Sequence, residues 1–314
     1  IWTQYVGGIL GGLNTSGNGV RGGDEADEDW GQQQAAAELA RLPISSKHVL
    51  AWAPFNAELG AQDEVTSIAA ALDAKQCPAF NVEGPLLNGD ADLAALRDAH
   101  RYGVLLLSGH ADVYFTDMDL QIKRGFGWEH DGGQEILWSG EAVDCNSFSS
   151  QMPTCSSTSD CPGKAECVIT TADGGFVSGV CVDQTQVDLR RGRVIMGDAT
   201  FGVHPEFFRT HKKRDWPNTL VYLGACKTLY NGTLAAAFFG AGARAVAGFT
   251  NYVTSTFANQ KSTEWFDAIL AEEDTTAAAG SFPVADPDNP AAQFALFGAR
   301  NLTITDSELL NPSF

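Results

Sequence analysis

Short apolar runs alternate with amphipathic segments along most of the chain after residue 47. The apolar runs have the pattern of strands that are covered on both faces, and they comprise HVLAWAPF (48–55), VLLLSGH (104–110), NTLVYLGAC (218–226) and RAVAGFT (244–250). The segments between them have helical spacing and include DEVTSIAAALDA (63–74), GTLAAAFFGAGA (232–243) and NQKSTEWFDAILAEE (259–273). This alternation predicts an α/β fold, a doubly wound and mostly parallel sheet of about six strands with helices on both faces.

Weaker patterns complete the prediction. A second strand is expected in CPAFNVEG (77–84) and helices in DADLAALRDAHRYG (90–103) and HPEFFRTHKKRDWP (204–217). Near the end, AAQFALFGARNLTIT (291–305) predicts a helix, a turn and a final strand.

The α/β pattern is interrupted between His110 and Arg193, which divides the chain into parts. Residues 1–46 form a Gly-rich and acidic N-terminal segment, and residues 47–314 form the α/β domain. Within that domain, residues 121–192 are predicted to be a hairpin and a cysteine-rich insertion, and the strands of the hairpin are expected in ADVYFTDMDLQI and QEILWSGEAV.

Four of the seven cysteines, Cys155, Cys161, Cys167 and Cys181, fall in that window, which is poor in large apolar residues. Such a segment cannot build its own core, so two disulfides are favoured over zinc, whose structural sites use closely spaced cysteine pairs. Three pairings are possible, and we take 155–167 with 161–181 as the working choice. If Cys77 pairs with Cys145, or both are simply buried, Cys226 is the odd thiol.

Charge and hydropathy exclude several classes of function. The net charge is −19, which opposes binding to phosphate backbones and anionic lipid, so no nucleic-acid partner is expected. No apolar run approaches the roughly 20 residues that span a bilayer, so no membrane insertion is expected. The disulfides and a start at Ile1 without a targeting segment predict a processed, exported protein, either secreted or at a bacterial cell surface or in the periplasm.

No cofactor and no metal site is predicted. The acidic run at 24–29 lacks the spacing of a calcium loop, and the scattered Asp pairs give calcium no support. The sequence makes no prediction of the oligomeric state.

Two successive apolar strands end in residues that suit nucleophilic catalysis. VLLLSGH ends at His110 and LVYLGAC ends at Cys226. In a parallel sheet the ligand site lies beyond the carboxyl ends of the strands, so neighbouring strands would bring these side chains together. An imidazole beside a thiol can set the protonation of the thiol or protonate a leaving group.

At this point the sequence resembles the caspase-like (clan CD) cysteine peptidases, the group of caspases, metacaspases, legumains, separases and gingipains. The resemblance rests on LLLSGHAD, LVYLGACKT and LAAAFFGAGARAVAGFT, and the closing FALFGARNLTI is similar to gingipain-type and related bacterial members. It covers roughly residues 47–120 and 193–306. It implies a caspase-like fold, no cofactor and a polypeptide substrate.

The resemblance also implies roles for individual residues. Cys226 takes the position of the nucleophile and His110 that of the catalytic histidine. The oxyanion hole is formed by the backbone N–H groups of Cys226 and Ala111, although the family usually has glycine at the position of Ala111. We expect a weakened or altered site from this departure, because a Cβ restricts the backbone and crowds the scissile carbonyl.

The resemblance also implies substrate contacts at the end of the first strand and after the fifth strand, which are here Asn56, Glu58, Asp63, Thr250 and Asn251. The acidic candidates favour Arg or Lys at P1 of the substrate, unless Glu58 or Asp63 begins the next helix instead.

Three functions stay open from the sequence. The first is an exported cysteine endopeptidase. The second is a catalytically silent relative in which Ala111 spoils the oxyanion hole and the disulfide insertion serves binding or display. The third is a different thiol acyltransferase or amidase on the same scaffold.

Overall fold

A computed structural model describes residues 41–115, 133–143, 153–161, 165–173, 176–212, 216, 218–271, 276, 280 and 282–306. The predicted N-terminal segment lies outside these residues as far as residue 40. The strands are β1 Leu42–Pro43, β2 His48–Ala53, β3 Asn81–Leu87, β4 Val104–Ser108, β5 Ala111–Tyr114, β6 Gln134–Ala142, β7 Thr154–Cys155, β8 Glu166–Asp173, β9 Phe176–Val182, β10 Val194–Met196, β11 Thr200–Val203, β12 Thr219–Gly224, β13 Ala243–Phe249, β14 Val284–Ala285, β15 Gln293–Gly298 and β16 Leu302–Thr303. The α-helices are α1 Asn56–Leu59, α2 Glu64–Ala74, α3 Leu93–Arg97, α4 Gln184–Arg190, α5 Pro205–Thr210, α6 Thr233–Ala241 and α7 Ser255–Ala271.

A seven-stranded sheet in the order β14-β15-β13-β12-β4-β2-β3 forms the centre of the described structure. The five strands from β13 to β3 are mutually parallel, while β15 and β14 are antiparallel to their neighbours. The prediction of a mixed α/β fold with a mostly parallel sheet is therefore confirmed.

Two hydrophobic cores lie on the two faces of this sheet, because successive strand residues point to opposite sides. In β4, Leu105 and Leu107 belong to the core that contains residues of α3, α5 and α6. Val104 and Leu106 belong to the other core, which contains residues of α2 and α7. Helices thus cover both faces of the central strands.

One sequence prediction is wrong. Residues 293–298 lie in the helix expected before the final strand, but they form β15, which pairs antiparallel with β13. Phe294, Ala295 and Leu296 are buried in a run too short to distinguish helical from strand periodicity, and a partner strand decided the conformation. The expected final strand is reduced to β16, which pairs in parallel with β1.

A second, antiparallel sheet has the order β10-β11-β6-β5. The predicted hairpin is present as the β5–β6 pair, while residues 116–132 lie outside the described part of the chain. This sheet crosses both predicted boundaries of the insertion, since β5 precedes residue 121 and β10 and β11 follow residue 192.

The cysteine-rich window forms a three-stranded sheet in the order β7-β9-β8 with two disulfides. Cys155 is bonded to Cys167 and Cys161 to Cys181, which confirms the working choice of pairing. Three of these sulfurs lie within 4.8 Å of one another, but all four are consumed by the disulfides and none is a thiolate ligand for a metal.

A buried carboxylate joins the second sheet to the central fold. Glu135 of β6 accepts the backbone N–H groups of Asn231, Gly232 and Leu234 at 2.6–2.8 Å and the Thr233 hydroxyl at 3.0 Å, all at the start of α6. Burial raises the pKa of Glu135, although these donors act to lower it. The first N–H groups of a helix have no partner within the helix, so Glu135 satisfies donors that would otherwise be buried unpaired.

Replacing Glu135 by alanine is expected to lower the free energy of unfolding by about 3–5 kcal/mol, because several buried donors lose their acceptor. Glu135→Gln keeps one acceptor oxygen and should lose less. Denaturant unfolding followed by tryptophan fluorescence measures both variants. A loss for Glu135→Ala no larger than about 1 kcal/mol, the net worth of a single hydrogen bond, would contradict this role.

Candidate functional site

The register between β4 and β12 places the ends of the two candidate strands side by side. Gly224 of β12 is paired with Ser108 of β4, and the Gly109 N–H donates to the Gly224 carbonyl at 3.1 Å. His110 and Cys226 each follow two residues after this last pair. Both residues therefore follow the paired ends of adjacent strands at the carboxyl edge of the sheet.

A glycine makes the turn that leads to His110. Gly109 has φ of +137°, a conformation that L side chains rarely adopt, and a Cβ at this position would lie 3.0 Å from the Phe55 ring. The close approach allows the Phe55 and His110 rings to contact each other, with centroids 4.5 Å apart.

A carboxylate lies against the imidazole of His110. The Nε2 atom of His110 is 3.0 Å from Oε1 of Glu58, a residue of the short helix α1 that follows β2. The main chain of His110 is fixed as well, because its carbonyl accepts the Trp138 N–H at 3.0 Å. With Nε2 on Glu58, Nδ1 is the nitrogen left for proton transfer.

Cys226 carries a free and partly exposed thiol. Its Sγ lies 3.7 Å from the Val253 carbonyl oxygen, to which the thiol donates. The chain after Cys226 is fixed by the Lys227 N–H on the Asn251 carbonyl and the Leu229 N–H on the Phe249 carbonyl. Cys77 is also a free thiol and is exposed, and Cys145 lies outside the described residues.

The backbone N–H of Ala111 points away from its partner strand. Ala111 faces Leu137 in the β5–β6 pair, and the hydrogen bond from Trp138 to His110 marks that pair as a non-hydrogen-bonded one. Since β5 is an edge strand, no further strand of the described chain lies on the other side. The methyl group of Ala111 is buried in the hydrophobic core.

The backbone N–H of Cys226 also has no acceptor among the residues that the structure describes. Two unoccupied backbone donors therefore lie at the strand ends that also hold the thiol and the imidazole. Such paired donors are what an acyl-transfer site needs for the developing oxyanion.

The other predicted site residues have different environments. Asp63 is only 3% exposed, and its carboxylate caps α2 by accepting the Val65 N–H and also accepts the Asn56 side-chain amide at 3.2 Å. Asp63 is therefore the residue that caps the start of α2, which was the alternative to a substrate contact. The side chain of Asn56 is bound to Asp63. Glu58, by contrast, has a side chain that is 64% exposed.

Thr250 and Asn251 lie where β13 ends. Thr250 exchanges hydrogen bonds with Gln293 of β15, donating its N–H to the Gln293 carbonyl and accepting the Gln293 N–H on its hydroxyl, each at 3.0 Å. Asn251 contacts the turn after Cys226 through its carbonyl, and its side-chain oxygen accepts the Tyr252 N–H. Of the two, Asn251 is therefore the one brought to the candidate site.

The contacts among Lys227, Asp112 and Tyr252 were not expected from the sequence. The ammonium group of Lys227 contacts Asp112 at 2.9 Å and lies 3.7 Å from the centre of the Tyr252 ring. The only signal in the sequence was the charge of Lys227 and Asp112, each directly after a proposed oxyanion donor.

A buried carboxyl group packs beneath the strand ends. Glu64, the first residue of α2, accepts the Tyr222 hydroxyl at 2.6 Å, and a Cβ on Gly224 would lie 2.0 Å from its Oε1. A side chain at position 224 would therefore force the Glu64 carboxyl group to move. Burial raises the pKa of Glu64 to about 7.

Comparisons with known proteins add no assignment: no family model, no curated protein and no solved structure matches this chain. None of the helices in the described residues has the length and apolar character needed to cross a membrane.

The raised pKa of Glu64 makes stability depend on pH. Because the folded pKa lies above the unfolded value of 4.5, the contribution of the protonated group is complete below pH 4.5 and is lost as the pH rises through about 7. Relative to Glu64→Gln, the wild-type protein should lose up to about 3 kcal/mol of unfolding free energy between pH 4.5 and 8. Urea unfolding across this range tests it, and equal pH dependence in both proteins would contradict it.

Proposed function

We propose that this protein is a caspase-like cysteine peptidase, nearest to the gingipain type, with Cys226 as nucleophile and His110 as general acid and base. The observation that supports it most is the β4–β12 register. Ser108 and Gly224 are the last paired residues of the two strands, and His110 and Cys226 each follow two residues later. The resemblance rests on the residue motifs of these two strands, whereas the register describes how the strands pair.

The proposed reaction is acyl transfer. The Cys226 thiolate attacks the peptide carbonyl carbon, and the carbonyl oxygen becomes an oxyanion that the N–H groups of Cys226 and Ala111 stabilise. His110 protonates the departing amine as the C–N bond breaks, which leaves a thioester. Water then attacks the thioester, gives a proton to His110 and releases the carboxylic acid and the Cys226 thiolate, which restores the starting state. Each oxyanion donor is worth about 3–4 kcal/mol in comparable enzymes.

The sheet topology is consistent with the proposed caspase-like, doubly wound arrangement. The strand order reverses at β2, which lies between β3 and β4, and ligands of such sheets bind outside the carboxyl ends at this switch point. Glu58 follows β2 and His110 follows β4. We propose Glu58 as the group that orients the imidazole rather than as a substrate contact.

The substrate is proposed to be a polypeptide with Arg or Lys at P1, taken from an oxidising compartment to which the protein is exported. The net charge of −19 favours a basic chain as substrate. The two disulfides support the compartment.

The silent alternative required the Cβ of Ala111 to disturb the oxyanion hole. Its methyl group packs in the core and its backbone is extended in β5, where any L residue fits, so the donor remains directed outward. This favours an active site over a display module, and a thiol acyltransferase or amidase becomes an outcome of the test.

The purified protein is expected to cleave peptides in a panel that varies P1. Cys226→Ala should reduce kcat/KM by more than about 10³-fold and His110→Ala by about 10²–10⁴-fold, because each removes a reacting group. Iodoacetamide should modify the peptide that contains Cys226, as mass spectrometry will show.

Cys77→Ser is the matched control, since it removes the other free thiol of the described residues and should leave cleavage unchanged. Failure to cleave any peptide, together with a Cys226 that iodoacetamide does not modify, would rule out the peptidase. Turnover of amides or transfer to amines without peptide cleavage would indicate the third function instead.

Glu58→Gln is expected to lower kcat by about 10–100-fold with KM nearly unchanged, because an orienting carboxylate acts through the histidine and this one is partly screened by solvent. Glu83→Gln, on the remote strand β3, is the control and should have wild-type kinetics. A change in KM alone for Glu58→Gln would return Glu58 to the role of substrate contact.

A further inference from the structure

Two charged residues directly follow the two proposed oxyanion donors. Asp112 comes after Ala111, and Lys227 comes after Cys226. These two side chains meet across the gap between the two segments, with Nζ of Lys227 2.9 Å from Oδ1 of Asp112. An ion pair thus joins the chain immediately beyond one donor to the chain immediately beyond the other.

The lysine is held at both ends. Its backbone has φ of +54°, and its N–H donates to the Asn251 carbonyl at 3.0 Å. Its side chain is only 16% exposed and its ammonium lies over the Tyr252 ring. Burial lowers the pKa of Lys227, but Tyr252 and Asp112 raise it by more, so the group stays charged.

The partners of Lys227 are themselves fixed. Oδ1 of Asp112 also accepts the Val113 N–H at 2.8 Å, and the Tyr252 hydroxyl lies 3.5 Å from the same oxygen. The Tyr252 carbonyl accepts the Asn289 side-chain amide at 2.6 Å. This ion pair therefore differs from a solvated surface pair, whose long side chains are free to move.

We propose that the Lys227–Asp112 ion pair is a positioning device that sets the separation of the Cys226 and Ala111 N–H groups. The inference rests on the proposed function. Oxyanion donors act only when both lie about 2.7–3.1 Å from the developing charge, so a small displacement of either segment weakens them. Neither charged side chain contacts the reacting atoms in this scheme.

The test compares Lys227→Met and Asp112→Asn with the wild-type peptidase. Each should lower kcat by about 10–100-fold, with KM changed by less than about threefold, because an oxyanion donor acts in the transition state. The double variant should be no slower than the slower single variant, since both break the same contact. Lys227→Arg keeps the ion pair and should recover most of the rate.

Two further measurements separate positioning from other effects. A peptide aldehyde forms an oxyanion on Cys226, so its affinity should fall by the same factor as kcat. Alkylation of Cys226 by iodoacetamide forms no oxyanion, and its rate should change by less than about threefold. Lys261→Met is the matched control, because Lys261 forms an ion pair with Glu264 on α7 and its loss changes the net charge equally.

Several results would overturn the inference: unchanged kcat in Lys227→Met, additive losses in the double variant, or an alkylation rate that falls as far as kcat. If the wild-type protein has no peptidase activity, the proposed function is rejected but the positioning role is not. The positioning is then measured by the amide ¹H and ¹⁵N chemical shifts of Ala111 and Cys226. A changed Ala111 shift in Lys227→Met and a changed Cys226 shift in Asp112→Asn, with neither changed in Lys261→Met, support the device, and unchanged shifts reject it.

Discussion

The parallel ladder between β4 and β12 is the interaction on which the candidate site depends. All residues of both strands are buried, and their five paired positions run from Val104 with Leu220 to Ser108 with Gly224. A slip by one residue would turn every apolar side chain toward the wrong core, so the register is strongly specified. The same register puts the segments that carry His110 and Cys226, each two positions further on, at the same edge of the sheet.

Beyond the ladder, two polar contacts join the segment of the imidazole to the segment of the thiol. Glu135 of β6 accepts donors at the start of α6, which follows the Cys226 turn, and Asp112 of β5 binds Lys227 within that turn. Because β5 and β6 are paired, both contacts attach one ribbon to one turn. The first is fully buried, whereas the second joins a largely buried Lys227 to a half-exposed Asp112 and is proposed to set local geometry.

Most of the fold was predictable because its elements have strong periodicity. The buried parallel strands and the helices α2, α6 and α7 follow directly from apolar runs and helical spacing. The disulfides were predictable because four of the seven cysteines lie in one window. The failure at residues 293–298 has a physical cause: FALF fits both periods, and only pairing with β13 made it a strand. Single-sequence periodicity carries no information about such a partner.

The candidate site was predictable in part for a similar reason. His110 and Cys226 stand at strand ends, so the sheet alone locates them. The roles of Glu58 and Asp63 were not separable, because both follow β2 and only the turn between them decides which faces the histidine and which caps α2. Lys227 and Asp112 are 115 residues apart in the sequence, and no sequence pattern around either residue predicts that they meet.

Ala111 stands where the peptidases that the sequence resembles usually have glycine. The effect of this difference depends on where the side chain of Ala111 points. A glycine at this position is needed only if the chain turns there or if the side chain points toward the substrate. In this protein the unusual backbone conformation belongs to Gly109, two residues earlier, and Ala111 already has an extended conformation as the first residue of β5. Because alternate groups of a strand point in different directions, its methyl group enters the core while its N–H faces outward. The backbone donor that the proposed chemistry requires is therefore compatible with alanine.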